Sequence, residues 1–157
     1  GSHAGQLRQA EAEIDHLTRA WHRLDPWPDA VEGLTRLKRQ FIVAPLSNGN
    51  IRLMVDMAKR AGLPWDAILG AEVARHYKPD PEAYLAAADL LMLPPSQCMM
   101  VAAHANDLQA ARKVGFKTAF VWRPLEHGPE RAAASRPAHD FDIMANDFVD
   151  LARQLGC

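Results

Sequence analysis

The chain has 157 residues, enough for a single domain with a substantial buried core. Its 18 Lys and Arg stand against 19 Asp and Glu without long runs of either sign, which leaves no electrostatic footprint for nucleic acid or an acidic membrane surface. Cys98 lies in an apolar run and Cys157 is the last residue, no stretch has the length of a membrane span and nothing resembles a secretory signal, so a reducing, cytoplasmic setting without a disulfide framework is expected.

Gly1-Ser2-His3 reads as the scar of a cleaved purification tag. Leu7, Ala10, Ile14, Leu17, Trp21 and Leu24 then recur at steps of three and four, which places them on one stripe of an amphipathic helix that Asp25-Pro26-Trp27-Pro28 stops. The stripe packs on its own domain or serves a partner. Val31, Leu34 and Leu37 mark a short helix leading into an apolar strand from Phe41 to Leu46, and Ser47-Asn48-Gly49 turns the chain into a helix that Gly62 caps. A short, weak strand falls between Trp65 and Glu72. The prolines of Tyr77-Lys78-Pro79-Asp80-Pro81 open a helix from Glu82 to Leu91, and Pro94-Pro95 separates it from an apolar strand that begins at Cys98. That strand breaks into the polar loop around His104, Asn106 and Asp107. A helix closed by Gly115, a strand from Thr118 to Arg123, a loop-rich stretch from Pro124 to Asp140 and a final helix from Phe148 to Leu155 complete the chain. The alternation of helix and buried strand is that of an α/β fold with a parallel sheet.

In such sheets chemistry gathers at the carboxyl ends of the strands, and three loops qualify. Ser47 and Asn48 bring a hydroxyl, an amide and the N–H groups of a glycine turn to the head of a helix, a set that suits a carboxylate, phosphate or halide and serves equally as an N-cap. Lys78 sits in a proline-stiffened loop that could aim its ammonium at one point, or it is a solvated loop lysine. Asp107 either pairs with that lysine or complements the dipole of its own helix. Tyr84 is one turn past the Lys-Pro loop, as core packing or as a binding group.

The order of these loops carries more than any one of them. Leu46-Ser47-Asn48-Gly49, then Tyr77-Lys78-Pro79-Asp80-Pro81-Glu82-Ala83-Tyr84, then Val101-Ala102-Ala103-His104-Ala105-Asn106-Asp107-Leu108 ahead of the run from Ala110 to Pro124 resembles the haloacid dehalogenase superfamily, and within it the 2-haloacid dehalogenases. The likeness runs from near Trp21 to the end. It implies a Rossmann-like parallel sheet flanked by helices and a hydrolase acting on a small halogenated carboxylic acid without a cofactor. By that resemblance Ser47 binds the substrate carboxylate, Asn48 helps hold the leaving halide, and Tyr84 is the active-site tyrosine. Lys78 neutralises a nucleophilic aspartate, and Asp107 fixes the lysine and the hydrolytic water. His104 stands where several relatives have Asn that positions this water, and Ala102 where some have Ser. The metal-dependent phosphatases of the superfamily carry two carboxylates in the last loop for Mg²⁺; here the first of those positions is Ala103, which does not support a metal site and makes a phosphatase the remote alternative.

One part of the pattern is absent from these 157 residues. The family's first motif, an Asp-x-(Asp or Tyr)-Gly-Thr turn after an apolar strand, supplies the nucleophile, and neither Asp15, Asp25 nor Asp29 has that setting. Most of the helical cap that follows the motif is missing as well, leaving residues 4–28 as its last helix and 29–157 as an incomplete core. The expectation is a truncated dehalogenase lacking its central first strand, inactive alone, with a non-catalytic interaction module as the alternative. Two apolar strand edges would then face a gap, to be closed by direct pairing or by an element lent by a second copy or an N-terminal fragment.

Overall fold

The computed structural model describes residues 20, 22, 24–131 and 140–157. The helix expected from Leu7 to Leu24 therefore lies almost wholly outside the described residues. The elements in chain order are α1 (Ala30–Leu37), β1 (Leu46–Ser47), α2 (Ile51–Ala61), β2 (Leu69–Gly70), α3 (Ala71–Ala74), α4 (Pro81–Leu90), β3 (Met99–Ala102), α5 (Ala105–Lys113), β4 (Lys117–Val121), β5 (Ile143–Ala145) and α6 (Phe148–Gln154). Local chemistry sets their ends. Asn50 caps α2 by accepting from the Leu53 N–H, Gly62 closes it in the left-handed conformation, and Pro81 occupies the first turn of α4, where no N–H is needed.

β3, β4 and β5 form a parallel sheet in that order. Period-two alternation divides its side chains between two faces. Met100 and Phe120 join Tyr84, Leu108, Ala111 and Phe116 beneath α4 and α5, while Ala119, Val121 and Ala145 meet Leu37, Leu151 and Ala152 beneath α1 and α6. This is a three-layer α/β/α arrangement. α1 and α6 pack backbone to backbone, since a Cβ at Gly33 would overlap Phe148.

β1 and β2 form a separate parallel pair. Direct closure of β1 on β3, one of the two outcomes expected from the sequence, does not occur. The edges of β1 and β3 are instead separated by a groove of about 750 Å³, walled by Phe41 to Leu46 on one side and Met99 to Ala102 on the other, with Ala87 and Ala88 among its lining residues. The expected strand from Phe41 to Leu46 shrinks to Leu46–Ser47 for the same reason. Phe41 N–H turns back to Leu37 O of α1, and beyond it the segment bonds toward the β2 side, from Val43 N–H to Asp66 Oδ2, from Asp66 N–H to Val43 O and from Leu69 N–H to Pro45 O. Phe41 and Ile42 are left 45% and 55% exposed. The strand Ile143–Ala145 was not anticipated, because three residues are too few for periodicity to register.

Asp29 ties the far layer together. Its carboxylate accepts from Arg123 Nη1 and Nη2 at 2.7 and 2.6 Å and from the Phe148 N–H at 2.8 Å, and the guanidinium lies over the rings of Trp27 and Phe148. Burial pushes the Asp29 carboxyl up, but the Arg123 and Phe148 hydrogen bonds together outweigh it and hold it below the ordinary carboxylate value. A carboxyl lowered on folding stabilises above its unfolded pKa and loses that contribution as pH falls through the folded value. Asp29→Ala leaves the nearly buried Arg123 without its partner and should destabilise by about 3 kcal/mol in urea unfolding at neutral pH. The gap between variant and parent should narrow as the pH is lowered through the acid range; a constant gap would contradict the ion-pair account.

Candidate functional site

The site lies where β1, β2 and β3 deliver their following loops. β3 ends at Ala102, His104 occupies the N-cap of α5, and Asp107 falls in the first turn of that helix. Lys78 follows β2 and α3 in the loop ahead of α4, and Tyr84 sits within α4. Leu108 and Tyr84 are fully buried in the same cluster, with Tyr84 edge-on to Phe116 at 6.2 Å, so α4 and α5 are locked together before their polar groups meet.

Those groups converge on one carboxylate. Lys78 Nζ donates to Asp107 Oδ2 at 2.5 Å, and the Tyr84 hydroxyl donates to Asp107 Oδ1 at 2.6 Å. The contact expected between Lys78 and Asp107 is made, with both side chains mostly sheltered at 18% and 16% exposure. Charge-assisted hydrogen bonds of this kind are the strong ones. Burial and the adjacent Asp107 carboxylate push the Tyr84 hydroxyl well above its usual pKa, so it stays a proton donor. Tyr84, singled out as a substrate-binding group, has its ring in the core and its hydroxyl on Asp107. Lys78 and Asp107 both line the groove between β1 and β3.

The Ser47 loop is arranged differently from its reading as an open anion cradle. Ser47 Oγ accepts from the Gly49 N–H at 2.9 Å, the Ile51 N–H donates to Glu72 Oε2 at 2.7 Å, and the Leu53 N–H donates to Asn50 Oδ1 at 2.7 Å. The Gly49, Ile51 and Leu53 amides at the head of α2 are thus engaged by the chain itself, with the Glu72 carboxylate on the first of the helix. Because Ser47 uses its oxygen as acceptor, its hydroxyl proton is the group left to donate. Gly70 of β2 permits this close arrangement, since a Cβ there would overlap the Ser47 carbonyl oxygen. Asn48, expected at the halide, directs its carboxamide to Lys78: Oδ1 accepts from the Lys78 N–H at 2.7 Å and Nδ2 donates to the Lys78 carbonyl at 3.1 Å.

His104 is exposed, its Nε2 lying 2.9 and 3.0 Å from the two oxygens of Glu126 in the loop after β4. The roles of Glu72 and Glu126 escaped the sequence, because a lone Glu carries no signal until the fold brings its partner near. Among the described residues no group of three or more His, Cys, Asp or Glu side chains could hold a metal ion. No helix among them is long and apolar enough to cross a membrane.

Comparison with known proteins identifies the family. The family model of haloacid dehalogenase-like hydrolases matches residues 3–115. (S)-2-haloacid dehalogenase 4A of Burkholderia cepacia is 39% identical over 112 residues, covering 69% of this chain and 48% of its own length. The (S)-2-haloacid dehalogenase of Xanthobacter autotrophicus is 31% identical over 134 residues, covering 82% of this chain and 51% of its own. Among solved structures, a defluorinating L-2-haloacid dehalogenase superposes with a TM-score of 0.88 at 53% identity, over 93% of this chain and 60% of that one. The chain spans about half the length of these two curated relatives. On the match of family model, relatives and structure together, the chain belongs to the haloacid dehalogenase-like hydrolases.

Proposed function

We propose that this chain forms the lysine- and carboxylate-bearing part of a hydrolytic 2-haloacid dehalogenase, residues 29–157 being an incomplete core. The observation that carries the reading is the Lys78–Asp107–Tyr84 assembly at the head of an apolar groove bounded by two parallel strand edges. A strand laid into that groove parallel to β1 and β3 would satisfy both edges, and a carboxylate at its carboxyl end would come up beside the Lys78 ammonium. That carboxylate is the nucleophile.

The chemistry then follows from charge. A carboxylate oxygen attacks the carbon bearing the halogen, the carbon–halogen bond breaks with its electron pair leaving on the halide, and an ester forms. Lys78 holds the nucleophile ionised and in line, Asp107 and Tyr84 fix the ammonium, and the Ser47 hydroxyl donates to the substrate carboxylate. Water, held near His104 and Asp107, adds to the ester carbonyl; the 2-hydroxy acid leaves, the carboxylate is restored and one proton is released. The competing reading, a non-catalytic module that docks a partner strand, uses the same groove and draws on the exposed Phe41 and Ile42.

Two measurements separate these readings and test the roles. The 157-residue chain alone should release no halide from a 2-chloro acid above buffer background, because positioning groups without a nucleophile have nothing to orient. Supplying a segment with an apolar strand that ends in Asp-x-Tyr-Gly-Thr, together with a cap, should restore release, and Lys78→Ala in that restored protein should lower it by about a thousandfold. Restored activity that survives Lys78→Ala would remove the lysine from the mechanism. Release by the chain alone would refute the assignment of the nucleophile to another strand.

Tyr84→Phe keeps the buried ring and deletes one hydrogen bond to a carboxylate. It should reduce stability by about 1.5 kcal/mol in urea unfolding and leave the fold intact by circular dichroism. An unchanged midpoint would mean that the Tyr84–Asp107 bond carries no net energy.

A further inference from the structure

Glu126 belongs to the loop after β4, the strand beside β3, and its side chain ends at His104. Both carboxylate oxygens face one ring nitrogen, Nε2, at 2.9 and 3.0 Å. An ionised carboxylate can only accept, so the hydrogen between them belongs to Nε2. In the neutral ring that leaves Nδ1 without a hydrogen, as an acceptor. Nε2 is at the tip of the side chain, whereas Nδ1 is bonded to Cγ and stays nearer the backbone at the head of α5. His104 is the N-cap of that helix and Asp107 its third residue, the two positions whose side chains approach each other at the start of a helix. The ring makes no capping bond there, so neither nitrogen is engaged by the amides of α5.

We propose that Glu126 is a positioning residue for His104, fixing the ring and its tautomer so that Nδ1 accepts a hydrogen bond from the water that opens the ester. The inference rests on the dehalogenase reading and deepens it by separating its two half-reactions. Carbon–halogen cleavage takes place between the incoming carboxylate and the substrate beside Lys78, and it draws nothing from Glu126. Ester opening needs a water whose lone pair is aimed at the ester carbonyl, and a hydrogen bond from that water to a fixed acceptor aims it. A ring released from Glu126 can turn about its side-chain bonds and exchange the hydrogen between its nitrogens. The acceptor is then in place for only part of the time.

The test has one arm on the 157-residue chain and one on the restored protein. Carbethoxylation by diethyl pyrocarbonate at neutral pH, followed peptide by peptide in a mass spectrometer, reads the availability of each imidazole nitrogen. Glu126→Ala should raise the rate at His104 by about fivefold, the factor that loss of one hydrogen bond carries, while half-exposed His76 keeps its rate. Glu126→Gln, whose side-chain carbonyl still accepts from Nε2, should raise it less. An unchanged His104 rate in both variants overturns the proposal. In the protein restored by a nucleophile-bearing strand and cap, quenched single turnovers of a 2-bromo acid, whose halide leaves readily, follow halide and 2-hydroxy acid separately. Glu126→Ala should leave halide release unchanged and slow 2-hydroxy acid formation by about fivefold, with the covalent ester building up in the intact protein mass, and Glu126→Gln should recover part of the rate. Equal losses in both steps, as a merely structural role would give, or no loss in the second, overturn the proposal. Absence of halide release by the restored parent is a different result: it sinks the dehalogenase reading, and the proposal with it.

Discussion

A strand edge carries a row of N–H and C=O groups that must meet either another strand or water, and this requirement determines how the chain is built. β3 satisfies one edge through β4, and β1 satisfies one through β2. Their other edges face each other across the groove without pairing. The consequences spread outward. Phe41 and Ile42, apolar residues in a segment patterned as a strand, are half exposed. The β3–β4–β5 half closes between its two helical layers, its cores drawing on α4, α5, α1 and α6, although Leu37, Met100 and Leu151 of those cores also line the groove.

This division explains why the polar assembly is formed while the groove stands open. Asp107 belongs to α5 and Tyr84 to α4, two helices fixed against β3 by Leu108, Ala111 and Phe116. Lys78 is delivered from the β1–β2 side, and its backbone is tied to Asn48 there while its side chain crosses to Asp107. One lysine thus joins the two half-sheets at their carboxyl ends. Part of its energy derives from the low exposure of the pair, which strengthens the attraction but also requires that the carboxylate's other oxygen be satisfied, as the Tyr84 hydroxyl does.

The sequence disclosed the parts that repeat a local rule. Gly62 and Pro81 marked helix ends, and the run from Met99 to Ala102 marked a buried strand, because each residue there obeys its immediate neighbours. The order of the three loops pointed to the family. Less visible were relations that only the fold creates: Glu72 at the head of α2, Glu126 beside His104, and the Asp29–Arg123 pair that links residues 94 positions apart. Loop position placed Asn48 near an anion and could not show that its carboxamide also faces Lys78, because a side chain's direction depends on what the neighbouring loop presents.

The same hydrogen bonds bear on whether Asp107 could serve as the nucleophile in place of a carboxylate from another strand. An attacking carboxylate must release a lone pair toward carbon, and every strong donor bound to it lowers that capacity. Asp107 has Lys78 at 2.5 Å on one oxygen and Tyr84 at 2.6 Å on the other. Freeing Oδ1 would leave the buried Tyr84 hydroxyl without its acceptor, and freeing Oδ2 would separate the sheltered ion pair; either change costs on the order of 1–3 kcal/mol before reaction begins. Lys78 is better placed to activate a second carboxylate while Asp107 holds it. The ammonium has three donors, and the bond to Asp107 uses one, so two can face an anion entering from the groove that Lys78 lines. On the proposed dehalogenase reading, Asp107 is therefore suited to hold the cation, and the cation to hold a nucleophile.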